Sequence, residues 1–221
     1  MSTTTNYGRL TTLLILAWLA LSITASKLLV FEAGSKYSFA PPLPLGLAVA
    51  APIALFAIWF AASPRFRQFA LSLNPAALAI TQTWRIAGIT FVVLASFGLL
   101  PNVFAQPAGW GDFAIGVTAP FVAFYLAHPR HKLSFIAWNI AGILDLVDAV
   151  TLGVLSSPTA AGILHTSVST QAMTVLPLSL IPTFAVPLLL ILHIIAIAQA
   201  VRWEPSAANQ FPKSAVRTSL A

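Results

Sequence analysis

The stretch WNIAGILDLVDAVTLG, residues 138–153, sets two aspartates three positions apart in an otherwise apolar run. The rest of the chain fixes its setting. Of 221 residues 58% are hydrophobic and 7% charged, against roughly 25% charged in a soluble domain. This is the composition of a membrane protein. A helical span needs about 20 apolar residues, and six segments qualify: 10–31, 45–62, 76–100, 110–127, 133–155 and 178–203. They use up most of the chain, so the expected fold is all-α, one polytopic bundle over residues 1–221.

Charge reads as topology. With alternating connections and the N-terminus inside, Arg9, Arg65, Arg67, Arg130, Lys132, Arg202, Lys213 and Arg217 fall on the cytoplasmic side and only Lys27 and Lys36 outside. That asymmetry places both termini in the cytoplasm. The net charge of +6 is spread through short loops with no basic stripe, which gives no sign of a nucleic-acid partner. The expected partners are the lipid bilayer and a second copy or a larger membrane complex. Arg9, the apolar run 10–23 and the small residues Thr24 to Ser26 also fit a signal peptide. Renewed hydrophobicity from Leu28 favours a retained first helix.

The chain has no cysteine, which removes thiol nucleophiles, thiolate metal sites and Cys-attached haem. HPRHK places His128 and His131 at a possible metal spacing, but Pro129 interrupts them in an inside loop, and a metal site is not expected there. LNPA, residues 73–76, resembles half of the aquaporin signature. Helix initiation is the preferred reading, with Asn74 as N-cap and Pro75 at the first helical position. GWGDFAIG does not match a dinucleotide fingerprint, and the sequence names no cofactor. The last span carries Pro182 and Pro187, each of which removes a backbone hydrogen bond, so a bend with freed carbonyls is expected.

The acids carry the functional reading. Only five are present: Glu32, Asp112, Asp145, Asp148 and Glu204. A central Asp costs about 2.5 to 3.5 kcal/mol on insertion and each Leu, Ile, Val or Phe returns about 0.3 to 0.6. Span five is thus near break-even, with twelve such residues against two aspartates, and depends on its neighbours. Asp145 and Asp148 are read as sharing a face with Ala141, Gly142 and Ala149, a small-residue surface suited to close helix approach. At about 1.5 Å per residue they lie roughly 18 and 22 Å above the inner edge, and Arg85 about 13 Å. Two layers follow: an outer acidic chamber of Asp112, Asp145 and Asp148 countered by Lys27, and an inner layer of Arg85, Gln82, Asn139 and His193. Intramembrane acids often mark ion or proton paths. The expected function is binding or transport of a proton, cation or small cationic solute rather than catalysis. The alternative is a non-catalytic accessory subunit whose charges fix packing.

Four phrases, QTWRIAG, LPNVFAQPAGWGD, WNIAGILDL and LPLSLIPTFAVPLLLILH, together resemble a family of uncharacterised multi-span bacterial membrane proteins. The resemblance covers roughly the second half of the chain up to His193. It implies a bacterial inner-membrane location and brings no activity or site roles.

Overall fold

The computed structural model describes residues 2–32, 43–164 and 167–204. The chain runs through α1 (Ser2–Lys27), α2 (Leu43–Ala62), α3 (Pro64–Leu71), α4 (Pro75–Ile80), α5 (Ile89–Ser96), α6 (Asn102–Phe121), α7 (Lys132–Leu155) and α8 (Val186–Ala200). The described residues hold no strand. Five stretches are long and apolar enough to cross a membrane: Asn6–Lys27, Leu43–Ala62, Pro75–Ser96, Pro129–Leu155 and Ile181–Ala200. α6 is not among them, because Asn102, Gln106, two prolines and Asp112 dilute its apolar character. It is instead the central helix, packing on α5, α7 and the segment Thr81–Gly88.

Asn74 caps α4 as expected, its side chain accepting from the Ala76 and Ala77 amides at 2.9 and 3.4 Å, with Pro75 following. His128 of HPRHK plays a comparable local part, its Nδ1 accepting from the Arg130 amide. α3 has Ser63 as N-cap and buries Phe66 and Ala70. Gln199 of α8 donates to the carbonyls of Ala70, Leu71 and Leu73 and closes the end of α3.

Between α4 and α5 the winding tightens to a 3-10 helix over Thr81–Gly88. The Thr81 hydroxyl enters the ladder at this junction, bonding the Ala77 carbonyl at 2.8 Å. At three residues per turn, positions three apart superimpose. The buried residues are accordingly Ala79, Gln82, Arg85, Gly88 and Phe91, in one line. Such a run exceeds the usual length of 3-10 helix, which in mid-helix commonly marks strain or a functional site.

The predicted break in the last span is a π-helical turn, Ile181–Ala185, leading into α8. Pro187 cannot donate to the Thr183 carbonyl four residues earlier. That carbonyl is taken by Trp18 Nε1 at 3.1 Å and Ser22 Oγ at 3.5 Å. Ser26, one turn further along α1, accepts from Ser179 Oγ at 2.8 Å. The proline break thus supplies the polar seam that holds α1.

Candidate functional site

Arg85 is the centre of the bundle. Its side chain is 1% exposed, and three helices supply its partners. Nε donates to Asp112 Oδ1 of α6 at 2.6 Å, and Nη2 donates to Asp145 Oδ2 of α7. Nη1 donates to the Gly142 carbonyl at 3.4 Å and lies 3.3 Å from His193 Nε2 of α8. Since a guanidinium can only donate, Nε2 is the acceptor and the imidazole proton sits on Nδ1. Nδ1 then donates to Asn139 Oδ1 at 2.8 Å, and Asn139 Nδ2 donates to the Phe135 carbonyl at 2.8 Å. The chain from guanidinium to imidazole to amide to backbone is complete in one direction.

The two layers expected at different depths are therefore one cluster. The 3-10 segment accounts for part of the difference, since it rises about 2.0 Å per residue rather than 1.5 and lifts Arg85 about 2 Å above the α-helical expectation. A long, forked side chain covers the rest.

Two candidate residues stand apart. Asp148 is exposed and has no hydrogen bond or ion pair among the described residues. Three residues turn an α-helix by about 300°, so each such step moves about 60° round the axis. Asp145 already flanks the buried line through Phe135, Asn139, Gly142 and Leu146, and Asp148 falls a further step away. Lys27 ends α1, is exposed and pairs with no acid among the described residues. The counter-charge is Arg85 instead. Lys36, Lys213 and Arg217 lie outside the described residues.

Glycines make the cluster possible. A methyl group added at Gly88 would strike the Asp112 side chain, one at Gly111 the Asp145 carboxylate, and one at Gly142 the His193 ring. At Gly109 it would come within 2.7 Å of Val92 Cγ2 and 3.0 Å of the Gly88 carbonyl. Each polar side chain thus lies in a gap left by a neighbouring helix. GWGD and GILD both set a glycine three residues before a cluster aspartate, although the gaps that admit Asp112 and Asp145 are left by Gly88 and Gly111.

Each carboxylate gives one oxygen to Arg85 and keeps the other, Asp112 Oδ2 and Asp145 Oδ1, free of hydrogen bonds among the described residues. Gln82 lies one 3-10 turn before Arg85, on the side toward α4. It is 1% exposed, and neither its amide nitrogen nor its oxygen has a partner among the described residues. Apolar clusters flank the site along the same helices. Leu78, Phe135 and Ala196 lie on the side toward α3, Phe91, Phe104 and Ala108 on the opposite side.

No curated protein and no solved structure matches the chain. One family model matches residues 42–201, a range that holds Arg85, Asp112, Asn139, Gly142, Asp145 and His193, and the chain belongs to that family, described as a domain of unknown function, DUF8737.

Proposed function

We propose that this is a six-span protein of the bacterial inner membrane, with both termini cytoplasmic, whose Arg85–Asp112–Asp145 cluster binds or passes a proton, a cation or a small cationic solute. The observation that carries the reading is a charge count. One guanidinium is shared by two carboxylates, and His193 is held as an acceptor that adds no positive charge. With both aspartates ionised the cluster bears one surplus negative charge in a low-dielectric interior, where unbalanced charge is costly. A proton or a bound cation removes the imbalance. The unpartnered amide of Gln82 gives a solute further polar atoms to meet on the inner side.

The orientation draws support from the side chains at one end of the bundle. Arg67 and Arg202 line a common hollow, and Lys132 Nζ donates to the Val201 and Trp203 carbonyls at 2.7 and 2.9 Å. These basic residues gather as a cytoplasmic face requires. α6 is the sixth span in this reading. Its low hydropathy is tolerable because Asp112 pairs with Arg85 and most of its small residues pack against protein, while the exposed Asn102 and Gln106 lie in its first turns, near the end of the span.

Infrared difference spectroscopy of the protein in lipid tests the cluster. Stepping the bulk pH or adding a monovalent cation is expected to change a carboxyl band that Asp112→Asn or Asp145→Asn alters and Asp148→Asn leaves in place. A spectrum with no such change would favour the second reading, an accessory or oligomerising subunit in which the charges fix helix packing. The extensive pairing of Arg85 is the observation on that side.

A further inference from the structure

An elongated chamber of about 310 Å³ adjoins the cluster, bounded by α2, α5, α6, α7 and the π-helical turn. Its size lies at the lower end of small-molecule sites. The walls are apolar, with Val49, Phe91, Phe104, Leu146, Val150 and Ile181 among them. Lining positions on α7 run from Leu146 to Val154, a length of about 12 Å at an α-helical rise. Hydroxyls of Ser157, Thr159, Thr170 and Thr174 sit beyond that end. Asp112 is the one ionisable group among the described lining residues. It also lines a smaller space of about 50 Å³ that reaches Arg85 and Gly88.

We propose that the ligand of this site is an amphipathic organic monocation, its charged head at Asp112 and its apolar body along the chamber. The inference rests on the cluster reading above and narrows it. A bare metal cation is a poor fit, because hard cations require several oxygen ligands and around Asp112 the chamber offers one carboxylate, its four hydroxyls lying past the far end of the apolar wall. A cation that carries its own apolar cover meets both demands. Its charge neutralises the surplus at the shared carboxylates, and its body replaces water along walls that give water no hydrogen bonds. Asp112 Oδ2, the oxygen that Arg85 leaves unbound, is the acceptor.

Calorimetry on the full chain in phosphatidylcholine nanodiscs tests this with decylammonium chloride, empty nanodiscs serving to subtract partitioning. The expected result is saturable binding of one decylammonium per chain, with tetramethylammonium, which lacks the chain, at least about tenfold weaker. Asp112→Asn is expected to weaken decylammonium binding about tenfold or more. Gly46→Leu should do the same by filling the chamber, since nothing lies within 4 Å of a methyl group placed there. Ala50→Leu, one turn further along the same wall, is the second filling variant. The infrared response of the wild-type carboxyls is recorded in parallel. If that response is present but decylammonium binds no better than tetramethylammonium, or binds equally well to both filling variants, this inference is overturned and the cluster reading stands. If the infrared response is absent, the cluster reading fails and the inference falls with it.

Discussion

α2 and α6 are both twenty residues long, and they meet opposite fates. α2 is apolar almost throughout and buries none of its residues, whereas α6 carries Asn102, Gln106 and Asp112 and buries seven. In water the more apolar helix would go inside. In a bilayer lipid tails solvate Leu and Ile as well as protein does, so burial is decided by close packing and by polar groups that lipid cannot serve. Small size alone does not decide, since none of the Ala and Gly residues of α2 is buried; the acid and the glycines packed close around it mark the interior.

The sharpest way to break this contrast is to remove its central charge. Arg85→Leu leaves two partly buried carboxylates with no counter-ion and is expected to destabilise the fold by about 3 kcal/mol. Adding Asp112→Asn and Asp145→Asn should recover part of that loss, because the uncompensated charges go with the guanidinium. Reversible unfolding in bicelles measures both. Equal stability of Arg85→Leu and wild type would mean that the guanidinium is not the hub of the interior.

A gentler comparison places the same methyl group on the two helices. Gly111→Ala on α6 drives it into Asp145 and is expected to cost about 1–3 kcal/mol. Gly46→Ala on α2 meets open space and should be neutral or stabilising by up to about 1 kcal/mol through helix propensity. Thermal melts of the two variants in one lipid give the contrast directly. Smaller again is the seam that holds α1. Trp18→Phe keeps the ring beside Phe184 but loses the donor to the Thr183 carbonyl, at about 0.5–1.5 kcal/mol in the same melts.

Much of the cluster was legible because charged and amide side chains are so rare in this chain. Arg85, Asp112, Asn139, Asp145 and His193 stand out as polar residues inside apolar segments, and the structure brings all five together. Their separation into two layers came from assuming one α-helical rise along span three, which the 3-10 segment does not follow. Spacing, depth and the small residues Ala141, Gly142 and Ala149 read Asp148 onto the face of Asp145, although a three-residue step rotates as well as climbs. The partner that Thr183 finds in Trp18 lies 165 residues away in sequence, and no local pattern encodes such a pairing. The chamber is of the same kind: its walls come from five separate stretches of chain, each unremarkable in itself.

One guanidinium holds two carboxylates while a third acid, three residues from one of them, stands outside. Solid-state NMR in bilayers measures this through nitrogen–carbon recoupling between Arg85 and the aspartate carboxyls, with Asp112→Asn, Asp145→Asn and Asp148→Asn used to assign the signals. Side-chain nitrogens of Arg85 are expected within about 4 Å of the Asp112 and Asp145 carboxyl carbons, as hydrogen-bonded geometry requires, with no contact to Asp148. Recoupling to one carboxyl alone, or to Asp148, would contradict it.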